Sequence, residues 1–233
     1  MKLRGIHIRG KNASSDISLD FMDDEGKLVE QCLLRGNLLS GKTLLCHLIS
    51  SAWSSSILSS PNLELDVDAE MVRIDFSVGH EISSVHIRNG HIEPSSLLAK
   101  HSDVSIGDSP SVHGGVLYYS SLRENYMEYA NAAYMGSGGV NRCLPVIYDL
   151  QMKEIKDSVI IIDDWDLGLD AVTAKSFYTF VSSHAHSGGN QLILTSSSAK
   201  PGYIADRSCF ELSGGSDIIT ECLKVMGSVA VGE

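Results

Sequence analysis

No stretch of this 233-residue chain approaches the ~18 consecutive apolar residues that a membrane-crossing helix needs, so a spanning helix is not expected. The N-terminus, Met-Lys-Leu-Arg-Gly-Ile-His-Ile-Arg-Gly, has no apolar core of the secretory kind. It alternates as a strand does, and the expectation is a cytoplasmic protein. Proline is scarce, at 5 residues, and apolar content is that of an ordinary globular chain. The five cysteines, Cys32, Cys46, Cys143, Cys209 and Cys222, show no C-x-x-C spacing, which excludes a zinc knuckle and gives no even disulfide framework. His86 and His91 lie in a strand-like stretch and His184 and His186 beside a turn, with no H-E-x-x-H among them, so no structural metal site is expected. Positive charge is also short: 18 Lys and Arg against 29 Asp and Glu give a net charge of −11. That excludes nucleic-acid binding through a globally basic surface, while a local patch or a partner stays open. Repeats and heptad stretches are absent, which removes solenoids and coiled-coil arms.

What is present is concentrated in residues 36 to 43, Gly-Asn-Leu-Leu-Ser-Gly-Lys-Thr. The octapeptide fits G-x-x-x-x-G-K-[ST], a loop whose backbone N–H groups cradle nucleotide phosphates. In it Gly36, Asn37, Leu38, Leu39, Ser40 and Gly41 form the cradle, Lys42 reaches the β/γ-phosphates, and Thr43 holds Mg²⁺. The flanks support this reading. Val29–Leu34 is strand-like and Thr43–Trp53 helix-like, so a helix N-terminus and its dipole point at the phosphates.

A length of 233 residues suits one large α/β domain, or one with an inserted subdomain. Residues 3–8 and 16–21 read as an antiparallel pair, and the Ser-rich run from Ser50 to Ser60 is expected to end the first helix. Val72–Val78 and Ser83–Arg88 look like a hairpin continued to Asn89-Gly90. Residues 95–115 are polar and expected as loop, Val116–Ser120 as strand, and Leu122–Met135 as a helix. The stripe of Tyr126, Met127, Tyr129 and Tyr134 on that helix reads as packing rather than as a base-stacking platform. Boundaries follow: a core over 1–60 and 140–233, with an inserted hairpin, loop and helical region over about 61–139.

Further along, Ser158–Ile162 is a continuous β-branched run ending in Asp163-Asp164. It is expected as a parallel strand buried on both faces, with carboxylates at its C-terminal edge. Asp163 can there approach a metal ion held by Thr43, and Asp164 can orient or deprotonate an attacking water. Gln191–Thr195 is a second buried strand, reached through a crossover helix at Ala171–Ser183 and a turn at Ser187-Gly188-Gly189-Asn190.

The order of these motifs resembles the ABC-type ATPase superfamily across nearly the whole chain: phosphate loop, Ser137-Gly138-Gly139, Asp163-Asp164, Asp170, and a strand ending at Ser196-Ser197-Ser198. The N-terminal strand pair and the Gly-Leu pattern are similar to the RecF-like, chromosome-maintenance and OLD-type branch. The resemblance implies a P-loop α/β fold with a mostly parallel central sheet, an N-terminal antiparallel β subdomain and a small inserted helical region. It also implies ATP and Mg²⁺ as cofactors. Ser137, Gly138 and Gly139 at a helix N-terminus would form a second anion site, closing in the family over the γ-phosphate held by the opposite subunit, with Asp170 in the D-loop position. A second copy of the chain and a separate protein partner follow, in settings such as DNA repair, chromosome maintenance or anti-phage defence. The same head as the nucleotide-binding subunit of a membrane transporter is the alternative.

Three departures from the family pattern bear on activity. The family's catalytic glutamate is Asp164, one methylene shorter. The switch histidine falls on Ser197, which offers only a neutral hydrogen bond. No glutamine lies between Gln31 and Gln151, so the usual Q-loop residue is missing, which weighs against the transporter alternative. Slow hydrolysis, with nucleotide-dependent association as the main output, is the resulting expectation.

Overall fold

The computed structural model describes residues 1–10, 16–37, 40–58, 69–101, 111–120, 138–199, 201–204 and 209–212. Among them two five-stranded sheets face each other across one helix. The first sheet contains β1 (Lys2–Arg9), β2 (Ile17–Asp20), β4 (Met71–Val78), β5 (Glu81–Arg88) and β6 (His91–Glu93). It is antiparallel throughout, in the order β2-β1-β4-β5-β6. The second contains β3 (Gln31–Gly36), β8 (Val116–Tyr119), β10 (Val159–Ile162), β11 (Gln191–Ser196) and β12 (Cys209–Leu212). It is parallel throughout, in the order β12-β3-β11-β10-β8. A short parallel pair joins β7 (Ser111–His113) to β9 (Glu154–Lys156).

The parallel sheet is buried on both faces, which is why its strands read as unbroken apolar runs. Successive side chains of β10 point to opposite sides. Val159 and Ile161 join Leu45, Cys46, Leu48, Ile49 and Ala52 of α1 (Lys42–Leu58), together with Ile6, Ile74 and Phe76 of the antiparallel sheet. Ile160 and Ile162 face the other way. They pack on Val146 and Leu150 of α3 (Gly138–Met152) and on Phe177 and Val181 of α4 (Ala171–Ser187). The helix that follows the phosphate loop is therefore enclosed by sheet on two sides, and its apolar residues need not keep to one stripe.

One side chain joins the sheets directly. Gln191 is fully buried at the start of β11. Its Oε1 accepts from Leu3 N–H at 2.6 Å, and its Nε2 donates to the carbonyls of Leu3 at 3.0 Å and Val29 at 2.9 Å. The pairing of β2 with β1 begins only at Gly5, so on that side Leu3 has passed the end of its neighbour. The glutamine amide supplies both the acceptor and the donor that another strand would have supplied.

Several expectations need adjusting. The strand before the loop runs over Gln31–Gly36 rather than Val29–Leu34. The first helix ends within the serine-rich run, at Leu58, but runs past the expected boundary at Trp53, because its packing between two sheets outweighs weak intrinsic propensity. Ser56 Oγ satisfies itself on the Ala52 carbonyl at 2.9 Å. The polar segment 95–115 contains a short helix, α2 (Ser96–His101), anchored by buried Leu98, and the strand β7. The helix expected over Leu122–Met135 lies outside the described residues.

Candidate functional site

All five strands of the parallel sheet run the same way, so their C-terminal ends share one edge. That edge gathers the phosphate loop after β3, the acidic pair after β10 and the serines after β11, as expected of open α/β sheets. Its described residues begin with Gly36. A Cβ there would lie 2.3 Å from Ser40 Oγ and 2.8 Å from the Leu212 carbonyl, so only glycine fits. Ser40 N–H donates to the Asn37 carbonyl at 3.1 Å. Gly41 has φ +87°, a left-handed conformation that opens α1 from a tight turn. Leu38 and Leu39 lie outside the described residues.

Lys42 is buried, and its ammonium is held over the loop. Nζ donates to the carbonyls of Gly36 at 2.8 Å and Asn37 at 3.0 Å, and to Ser40 Oγ at 3.3 Å. These acceptors hold a cation at the mouth of the α1 N-terminus, where phosphate oxygens are the natural competitors for it. One residue on, Thr43 Oγ1 donates to Asp163 Oδ2 at 2.9 Å, which ties the start of α1 to the end of β10. A hydroxyl and one carboxylate, both hard oxygen donors, suit Mg²⁺, which is usually bound by one or two carboxylates, substrate phosphates and water. No cluster of three or more His, Cys, Asp or Glu suited to a metal is present among the described residues. A hydroxyl and one carboxylate leave most of an octahedral shell to phosphate oxygens and water.

Asp164 sits in a left-handed conformation, φ +46°, which Asp tolerates better than most side chains do. Burial raises its pKa above 3.8, the charge of Asp163 adds to this, and Lys42 and Arg142 oppose it. Such a carboxyl is better placed than an exposed one to take up a proton. Ser197 is exposed just beyond β11, at the rim of the site. Its neighbour Ser196 is more engaged: its hydroxyl donates to Asp166 Oδ2 at 2.8 Å and accepts from Ser198 N–H at 2.9 Å.

Gly138 and Gly139 open α3, as the sequence suggests; Ser137 lies outside the described residues. The helix start is pressed against the turn that follows β10. A Cβ on Gly139 would be 2.1 Å from the Gly168 carbonyl oxygen, and Gly168 itself sits at φ +77°. Arg142, one turn into α3, donates to the carbonyls of Leu167 and Asp164, both at 3.4 Å. Asp170 is the N-cap of α4. Its carboxylate accepts from Val172 N–H at 2.9 Å, Thr173 N–H at 3.0 Å and Thr173 Oγ1 at 2.6 Å. The hydrogen bonds from Thr173 are the main reason its pKa lies below 3.8.

Sequence reasoning missed Thr195, Arg142 and the pairing of Ser196 with Asp166. For Thr195 a signal existed. Adjacent parallel strands in register as far as Ile162 and Leu194 place the next residue of each, Asp163 and Thr195, side by side. The other two depend on how the turn after β10 folds back, and no spacing rule encodes that.

No protein-family model matches the chain, and no curated protein matches it. Solved structures do. The SMC head domain from Thermotoga maritima aligns over 85% of this chain and 90% of its own, at 12% identity and a TM-score of 0.50. A bacterial ABC transporter cassette, solved as a dimer and again as a dimer bound to ADP and Pi after hydrolysis, aligns over 92% of this chain and 94% of its own. In both states its identity is 12% and its TM-score 0.37. At 12% identity this likeness speaks to architecture alone: the chain shares its fold with the SMC head domain.

Proposed function

We propose that the chain is an ATP-binding, slowly hydrolysing ABC-type head, one domain over 1–233, that associates with a second copy of itself around ATP and acts on a separate protein partner. The observation that carries this reading is the 2.9 Å hydrogen bond from Thr43 to Asp163. It brings a phosphate-loop hydroxyl and a strand-end carboxylate, 120 residues apart in sequence, to the spacing that a shared Mg²⁺ requires.

In this reading the loop N–H groups and Lys42 take the β- and γ-phosphates. Lys42 exchanges the Gly36 and Asn37 carbonyls for phosphate oxygens, a stronger, charge-assisted interaction. Mg²⁺, when bound through Thr43 and Asp163, screens the charge of the phosphates. Asp164 orients the attacking water and takes its proton, helped by its raised pKa. Its short side chain, and Ser197 where a cation would help, keep the rate low. The α3 N-terminus, with Ser137, Gly138 and Gly139, serves the γ-phosphate on the opposing copy. Asp170 contributes to that contact by fixing the turn it caps. The exposed apolar side chains of Leu167, in the turn before α4, and Val172, at the start of α4, 58% and 76% accessible, suit a face that another protein surface covers.

Molecular mass in solution, measured with and without ATP on the Asp164→Asn variant to block hydrolysis, tests this. A doubling of mass with ATP and Mg²⁺ is expected. A chain that binds ATP and stays monomeric removes the association, and one that binds no ATP removes the function altogether.

A further inference from the structure

Thr195 is fully buried at the end of β11, and its hydroxyl has two partners. It lies 2.6 Å from Asp163 Oδ1 and 2.7 Å from the backbone nitrogen of Asp164. A backbone N–H can only donate, so the oxygen of Thr195 accepts there, and the threonine proton is left to point at the Asp163 carboxylate. The direction of this hydrogen bond thus follows from the identity of the groups. The other carboxylate oxygen, Oδ2, receives the hydroxyl of Thr43. Asp163 is thereby held between two threonines on different elements, and its carboxylate plane is fixed.

Thr195 also reaches further along the same turn. Its carbonyl accepts from Trp165 N–H at 3.1 Å. One residue of β11 therefore anchors the side chain of Asp163, the amide of Asp164 in its left-handed conformation and the amide of Trp165. Valine at this position would have the same shape and the same strand preference. The hydroxyl therefore answers to the polar groups of the turn and not to the packing of the sheet.

We propose that Thr195 is a positioning residue for the metal-nucleotide site: by holding Asp163 Oδ1, it turns Oδ2 toward Thr43 and the Mg²⁺ they share. This rests on the reading of the site as one for ATP and Mg²⁺. Outer-shell partners of metal ligands typically change metal affinity about 10- to 100-fold when removed.

The test uses the full chain as wild type, Thr195→Val and Thr195→Ser, each titrated with a fluorescent ATP analogue in EDTA and across a Mg²⁺ series. In EDTA all three bind alike. The Mg²⁺ concentration that half-maximally strengthens binding rises about 10-fold in Thr195→Val and returns toward wild type in Thr195→Ser. A Thr195→Val protein that follows wild type through the Mg²⁺ series overturns the proposal. So does one weakened equally in EDTA and in Mg²⁺, since the hydroxyl would then hold the fold rather than the carboxylate. Wild-type protein that binds the analogue without any response to Mg²⁺ also overturns it, whereas wild-type protein that binds no analogue under either condition refutes the ATP reading itself.

Discussion

Substituting Gly139 by alanine gives a result whose sign is decided by one contact. Gly139 is the second residue of α3, and replacing a helical glycine with alanine ordinarily stabilises by up to about 1 kcal/mol. Here the added Cβ would stand 2.1 Å from the Gly168 carbonyl oxygen and 2.4 Å from its carbon. Real Cβ atoms do not come within 3.0 Å of such neighbours, and both atoms are backbone, so no rotamer relieves the contact. Helix and turn must part by roughly 1 Å, and overpacking of this kind costs about 1–3 kcal/mol. Net destabilisation of about 1–2 kcal/mol is expected in urea unfolding followed by tryptophan fluorescence, with an unchanged m-value. Parting these backbones also moves the turn bearing Asp164, and misplacement of about 1 Å can lower turnover on the order of 100-fold. An alanine variant as stable as wild type or more so would refute the close approach of α3 to the turn, and with it the idea that the two move as one piece.

Gln191→Leu keeps the size of the side chain and strips three buried backbone groups of their partner; a loss of about 3–6 kcal/mol is expected by urea unfolding, and a loss under 1 kcal/mol would contradict the junction described. Asp164→Asn should bind nucleotide and not hydrolyse it. Because its folded pKa is raised, Asp164 takes up a proton in the folded state before it does in the unfolded chain, so its stability contribution falls as pH rises through the folded pKa. Thermal melts should therefore show Asp164→Asn gaining on wild type near pH 7 and the gain vanishing below 3.8, the unshifted value. Asp170→Ala has the opposite signature: the lowered pKa means that its stabilisation is present at neutral pH and is lost as pH falls below 3.8, so the variant melts lower at pH 7 and loses less on acidification.

Much of this was written plainly in the chain because it rests on local rules. The loop at 36–43 is a motif of backbone shape and charge, and the apolar runs at 159–162 and 192–194 follow from burial on both faces. The N-terminal antiparallel pair and the hairpin at 71–88 alternate as half-buried strands must. What stayed hidden depends on neighbours distant in sequence. The serine-rich run marks where α1 ends, but only the enclosing sheets explain why it passes Trp53 and reaches Leu58. β7 and β9 are three residues each and pair in parallel across about forty residues of chain, which leaves no periodic trace. At the site, Lys42, Thr43 and Asp163 were legible by type and spacing. The hydrogen bonds that aim them were not, because Thr195 and Arg142 matter through where a turn folds back rather than through any pattern around themselves.

The placement of α1 between two sheets bears on cooperativity. Because the same apolar side chains of one helix seal both sheets, neither can open without exposing the other's core. The described body should therefore unfold as one unit, with the amides of α1 among the last to exchange with solvent. A ligand seated at the N-terminus of that helix would stabilise both sheets at once. Nucleotide occupancy would then register as slowed hydrogen exchange in β4 and β5, which belong to the sheet that does not carry the phosphate loop.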